Sequence, residues 1–434
     1  MKGKRSAADH FKEMVDGWVL QSVEDGVTGF GSLVCALPGV YPSVVREAIL
    51  RLGRSGRLPI GALQSVVTEM TAKEPHRQED FIRLALPMPH PLDFDWRYAA
   101  AANERLLEEY ATLAKPPGRL AVVGAPSLVL EAFWRNPSLE AMALDSNRAI
   151  VRAIRRVCSR AQVIHCDVMR GKLPAFPEAA VVIADPPWYP EHLHSFLWAG
   201  CQMCELKGHA LVSLPPLGTR PGIANERAEF LAFAEELGLR LIRLEKAALP
   251  YLSPPFEQNA LRADGTAGVP VDWRRGDLAV FARVRAVRRP RPVAPPLEAP
   301  WHEAEVRGVR VRMRPQSKAG FIDPRLASLV AGDILPSVSR RDPLRPAADV
   351  WTAGNRIFQC RGTGILRRVF EALGAGQLPV ERVADALGRN LDPEEAGLVK
   401  LAAEQASNLI SMEQDEQSSW RESCWGEAVP AIAI

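Results

Sequence analysis

The chain has 434 residues, 47% apolar and 24% charged, so a sizeable core is available and wholesale disorder is excluded. No run approaches ~18 consecutive apolar residues, and the N-terminal MKGKRSAADHFKEMVDGWVL has no long apolar h-region, so neither a membrane span nor a secretory signal is expected. The net charge of +3 is unevenly placed: residues 273–345 hold 16 Lys plus Arg against 7 Asp plus Glu, which points to an anionic partner or to a solvated arginine-rich surface.

In residues 1–72, Phe11, Met14, Trp18 and Val19 recur at helical spacing. Leu33 and Leu37 mark a short helix that Pro38-Gly39 stops, and Pro42-Ser43 opens another with Val45, Ala48, Ile49 and Leu52 on one face. Helix, turn, helix and a Gly-flanked extended piece resemble a winged-helix unit, whose second helix would offer Ser43, Arg46, Glu47 and Arg51 to DNA. The plain alternative is a packing or homodimerisation module, or a seat for a protein partner. Residues 73–118 form a linker: a proline-rich arm, then Asp95, Trp96 and Arg97, either a pocket rim or core, then an amphipathic helix from Tyr98 to Leu113.

Residues 119–284 alternate apolar runs with helical patterns. Strands are expected at 120–124, 140–145, 162–167, 179–188, 209–216, 239–251 and 276–284, with helices at 128–135, 147–159, 190–206 and 225–237. This alternation predicts an α/β fold with a Rossmann-like, doubly wound, mostly parallel sheet, whose ligands sit beyond the carboxyl ends of the strands. A Pro/Arg linker at 285–300 leads to a basic, small C-terminal α+β domain at 301–412, with helices at 365–373, 380–387 and 394–412. Residues 413–434 read as a loose polar tail.

Four strand ends carry chemistry. Gly124 lets backbone approach a ligand. Asp145 suits the two ribose hydroxyls of an adenosine, and Asp167, with Cys166 as apolar neighbour, suits an adenine amino group. Asp185-Pro186-Pro187-Trp188 is the sharpest element. The prolines fix the backbone, Asp185 and the adjoining carbonyls accept from an amino group, and Trp188 or Tyr189 offers a ring for stacking. A base in a duplex would have to be flipped out to reach it.

These residues resemble class I S-adenosylmethionine-dependent methyltransferases, and more narrowly the group that methylates exocyclic nitrogens of adenine or cytosine. The resemblance implies that Asp185, Pro186, Pro187 and Trp188 orient the amine for in-line attack, and that Gly124, Asp145 and Asp167 hold S-adenosylmethionine. The domain order is also similar to that of branched-chain polyamine synthases, which would imply aminopropyl transfer to an amine. That family carries acids after its first-strand glycine, where this chain has Ala125, Pro126 and Ser127. The single glycine of this loop motivates a third reading, a catalytically degenerate scaffold serving as a nucleic-acid or protein adaptor.

Arg340, Arg341, Asn355 and Arg356 are expected to contact substrate, with guanidinium forks suited to phosphate; the alternative is a turn between small elements. His192 and His194 are expected at the exposed start of a helix, the alternative being that one of them lines the pocket or accepts a proton. The seven cysteines do not read as a disulfide framework, which implies reduced thiols and a cytoplasmic setting. Cys201 and Cys204 fall within one predicted helix with no second pair, so no metal is expected. The expected activity is methyl transfer to an amino nitrogen, of a nucleobase in nucleic acid.

Overall fold

The computed structural model describes residues 6–58, 86–114, 118–158, 162–175, 177–296, 300–316 and 320–425. Its centre is an eight-stranded sheet made from β1 (Arg97–Tyr98), β2 (Leu120–Val123), β3 (Ala141–Asp145), β4 (Gln162–His165), β5 (Ala179–Ala184), β6 (Cys204–Leu214), β7 (Leu239–Leu252) and β8 (Arg275–Arg283). The order is β1-β7-β8-β6-β5-β2-β3-β4. β4, β3, β2, β5 and β6 run parallel, and β8 pairs antiparallel with both β6 and β7.

The central runs Leu120–Val123 and Ala179–Ala184 are buried at every position, as strands covered on both faces must be. Alternate residues serve opposite layers. Leu120 and Val122 pack towards α4 (Ala100–Leu113), α5 (Pro126–Arg135) and α6 (Arg148–Val157). Ala121 and Val123 pack towards α7 (Pro190–Met203) and α8 (Ile223–Glu236). The chain order reverses between β2 and β5, which places a topological switch point beyond Val123 and Ala184.

Ahead of the sheet, α1 (Ala7–Glu24), α2 (Phe30–Ala36) and α3 (Pro42–Arg54) bury Val15, Val19, Leu33, Val45 and Ile49 around Trp273 of the central region. Two of the four polar residues offered to DNA have partners within the chain: Arg46 pairs with Asp264 at 3.2 Å and Arg51 with Asp16 at 2.5 Å. The extended wing expected after α3 falls mostly on residues 59–72, outside the described residues. After the sheet, β9 (His302–Val306), β10 (Val309–Met313), β11 (Ala327–Ser328), β12 (Val350–Thr352) and β13 (Ile357–Gln359) form an antiparallel sheet in the order β11-β13-β12-β10-β9. It packs on helices at Thr363–Ala375, Pro379–Leu387 and Pro393–Trp425. No described helix is long and apolar enough to cross a membrane.

Two expectations need correction. The tail does not loosen at Met412, because the last helix runs on to Trp425. Glu413, Glu416 and Trp420 follow at helical spacing and each is tied down. Glu413 accepts from Thr352 at 2.6 Å, Glu416 accepts from Asn259 at 2.7 Å, and the Trp420 indole donates to the Ser253 carbonyl at 2.9 Å. Residues 426–434 lie outside the described residues. The helix holding Cys201 ends at Met203, so Cys204 opens β6 instead. A helix at Pro255–Ala263 was not among the expected elements; Pro255 occupies its first turn, where proline's missing N–H costs nothing.

Candidate functional site

Two cavities meet at the switch point. The larger, about 740 Å³, is lined by Gly124, Asp145, Cys166, Asp167, His192 and Phe196 among others. Its geometry begins with the turn after β2. Gly124 has φ +75°, and a Cβ there would stand 3.1 Å from the Asp185 carbonyl oxygen, so only glycine fits without a shift. Asp145 Oδ1 accepts from the Asn147 amide at 2.7 Å. Desolvation lifts the Asp145 carboxyl to about 7; the Asn147 amide opposes the rise, while Asp95 and Asp93 add to it. Asp167 accepts from the Met169 amide at 2.9 Å and keeps part of its carboxylate exposed. Cys166 is buried, and desolvation pushes its thiol upward.

His192 is not at the surface. It is buried against this cavity, and desolvation lowers its pKa to about 4, so it is a neutral ring there. His194 lies parallel to Phe230, with centroids 6.1 Å apart. Both histidines begin α7, whose first turns are covered rather than exposed.

The smaller cavity, about 360 Å³, shares Phe94, Trp96, Asp185 and Pro187 with the larger. Asp185 is therefore part of the wall between them. Tyr251 of β7 donates to Asp185 Oδ1 at 2.5 Å, and Ser213 of β6 bonds the same tyrosine hydroxyl at 2.5 Å. Desolvation lifts Asp185 to about 7, and the Tyr251 hydroxyl bond holds the rise back. Trp188 stands edge-on to Tyr251, 5.7 Å between centroids. The strand beside them has Gly276, where a Cβ would come within 2.7 Å of Ser213 Oγ and 3.2 Å of the Trp188 ring.

Arg274 forms another wall. Its guanidinium lies 5.2 Å from the Trp96 ring centre, 5.5 Å from Trp188 and 4.7 Å from Trp273, and is paired with Glu257. The Trp96 indole donates to Glu257 at 3.1 Å, so Trp96 is both pocket wall and packed core. Tyr189 also lines this cavity, and its hydroxyl accepts from the Arg340 amide at 3.2 Å. Arg340 further donates to Glu191 at 2.6 Å. Arg341 lines the cavity beside Ser337 and Ser339.

Asn355 and Arg356 line neither cavity. Asn355 is fully buried, accepts from the Trp351 indole at 3.0 Å and donates to the Ser337 carbonyl at 3.1 Å, which fixes the segment that carries Ser337. Arg356 donates to Glu413 at 2.8 Å and to Glu416 at 2.9 Å, an internal cluster. Much of the basic surplus of 273–345 is likewise engaged inside the chain: Arg289 with Glu236 at 3.1 Å, Arg310 with Asp93 and Glu303 at 2.8 Å, Arg325 with Asp323 at 2.7 Å.

Sequence reasoning missed Tyr41, Phe94, Ser213, Tyr251 and Arg274. They come from separate elements, and no spacing in the sequence links them to Asp185.

No protein-family model matches the chain, and no curated protein matches it. Among solved structures, the chain is similar to the branched-chain polyamine synthase from Thermus thermophilus, 16% identical, covering 66% of this chain and 93% of that one, TM-score 0.48. It is also similar to a TehB-like SAM-dependent methyltransferase from Corynebacterium glutamicum, 12% identical, covering 42% and 88%, TM-score 0.31. A third likeness is to geranyl diphosphate C-methyltransferase from Streptomyces coelicolor, 13% identical, covering 43% and 80%, TM-score 0.30. The fold assignment rests on the strand order itself.

Proposed function

We propose that the chain transfers a methyl group from S-adenosylmethionine to an amino nitrogen on a planar ring. The observation that carries this is the place of Asp185, an acid of raised pKa in the wall common to both cavities. The larger cavity fits the cofactor: Gly124 clears the backbone, Asp145 is placed for ribose hydroxyls, and Asp167 for an adenine amino group. When bound, S-adenosylmethionine supplies an electrophilic methyl carbon.

The chain's own residues do the rest. Trp188 and Tyr189 offer ring faces to the acceptor. Ionised Asp185 accepts an N–H bond from the amine, directs its lone pair away from the carboxylate, and takes the proton the nitrogen loses on methylation. Tyr251 and Ser213 hold the carboxylate in place. Polyamine transfer finds less support, since Ala125, Pro126 and Ser127 put no carboxylate after Gly124.

Calorimetric titration with S-adenosylmethionine tests the cofactor assignment. Ribose hydroxyls need ionised Asp145, so affinity is expected to be flat above about pH 7 and to weaken about tenfold per pH unit below it. Asp145→Ala should lose the binding. No binding in the unaltered chain would sink the assignment.

Tyr251→Phe supplies a second check. It removes a hydrogen bond that favours ionised Asp185, so the Asp185 pKa rises further. The acid limb of the kcat/KM profile should move up by about one pH unit. An unmoved limb would show that some other group titrates.

A further inference from the structure

The smaller cavity has a chemical bias that the methyl-transfer reading leaves unused. Of the charged residues that line it, three are arginines, Arg220, Arg274 and Arg341, and one is an acid, Asp185. Arg220 is paired with Glu226 and Arg274 with Glu257, and both carboxylates stand behind the lining. Arg341 is exposed at the cavity and has no carboxylate partner among the described residues. Its own amide donates to Ser339 Oγ at 3.2 Å, and the Ser339 amide donates to Ser337 Oγ at 3.1 Å, so both hydroxyls keep a proton to give.

An independent observation comes from the other end of the chain. Tyr41 lines the cavity, and its hydroxyl is buried with no hydrogen-bond partner among the described residues. Burying a hydroxyl without a partner is costly, so an occupant oxygen is its natural complement. Desolvation holds the Tyr41 pKa well above its ordinary value, which keeps it a donor. The volume, about 360 Å³, lies at the small-molecule end of ligand sites, roughly 300–1,000 Å³.

Resting on the methyl-transfer reading, we infer that the acceptor is a small planar amine that also bears a carboxylate or phosphate, with Arg341 and Tyr41 as its specificity-determining residues. An amino-substituted mononucleotide and an aminoaryl carboxylate share this chemistry. A polyamine offers no oxyanion to Arg341, and about 360 Å³ holds one nucleotide-sized occupant rather than a stretch of strand.

The test is calorimetry on the full chain, alone and with S-adenosylmethionine. The probes are adenosine 5′-monophosphate against adenosine, 4-aminobenzoate against aniline, spermidine, and a short single-stranded DNA. In at least one pair the anionic member should bind about tenfold or more tightly than its neutral partner. The pair that shows it identifies the source of the oxyanion. Arg341→Gln and Tyr41→Phe should each shrink that preference, with S-adenosylmethionine affinity unchanged. Equal affinities within both pairs, tighter binding of spermidine or DNA, or binding of none of the probes would overturn the inference. An anion preference without S-adenosylmethionine binding would instead overturn the cofactor assignment and leave the anion site standing.

Discussion

Asp185→Asn is expected to abolish the proposed methyl transfer and, at pH 8, to make the protein harder to unfold. The two effects have one cause. In the folded chain the carboxyl is lifted from 3.8 to about 7, chiefly by desolvation. The folded state therefore holds this proton more tightly than the unfolded state does. The cost of ionising it grows as pH rises from about 4 to 7 and is complete above that. Each pKa unit is worth about 1.4 kcal/mol, so the penalty at pH 8 is at most about 4 kcal/mol. Asparagine keeps the shape and still accepts from Tyr251, but carries no charge to desolvate. Melting curves should show a higher midpoint for the variant at pH 8 and little difference at pH 4. Single-turnover assays should show no product. A variant that is no more stable at pH 8 would mean that water reaches the carboxylate freely.

Arg310→Ala acts in the opposite direction, with an expected loss of about 3–5 kcal/mol. Arg310 is 1% exposed. It donates to Glu303 at 3.0 and 2.8 Å, to Asp93 at 2.8 Å and to the Met88 carbonyl at 2.8 Å. Without it, Asp93 and Glu303 keep only Arg312 as a counter-charge among the described residues. The damage should reach the larger cavity, because Asp93 also accepts from the Asn147 side chain at 2.8 Å, and the Asn147 amide steadies Asp145. Urea unfolding should show the stability loss, and calorimetry a weakened S-adenosylmethionine affinity. Arg325→Ala is the control. Its pair with Asp323 is exposed at 49% and 36%, and such solvent-screened pairs contribute little to stability. If the two variants unfold alike, the buried cluster does not have the role assigned to it.

The central sheet was legible because its signals are local. Continuous apolar runs such as Leu120–Val123 and Ala179–Ala184 can hardly be anything but covered strands, and each ends on a residue whose chemistry shows in the sequence. Half of the candidate site is local in the same sense: Asp185 to Tyr189 are consecutive, and Gly124, Asp145 and Asp167 each close a strand. The other half is not. Tyr251 reaches Asp185 across 66 residues, and Trp96 reaches Glu257 across 161. No periodicity announces such contacts. Polar clusters misled for a related reason. Asn355 and Arg356 look like recognition residues until Trp351, Glu413 and Glu416 are seen to use their hydrogen bonds. The charge surplus of 273–345 likewise suggested a surface for an external anion, whereas Arg310 and Arg274 face carboxylates within the chain.

The smaller cavity belongs to no single hydrophobic core. Tyr41 extends from the core around Trp273, Trp188 and Tyr251 from the core beneath the central sheet, while Ser337 and Arg341 adjoin the C-terminal sheet. An occupant that touches all three sets adds its binding free energy to their union and to none of them singly. Occupancy is thereby converted into cooperativity. With the cavity filled, the regions that enclose it are expected to unfold more nearly together than when it is empty. The acceptor would thus act as a keystone for the regions that enclose it.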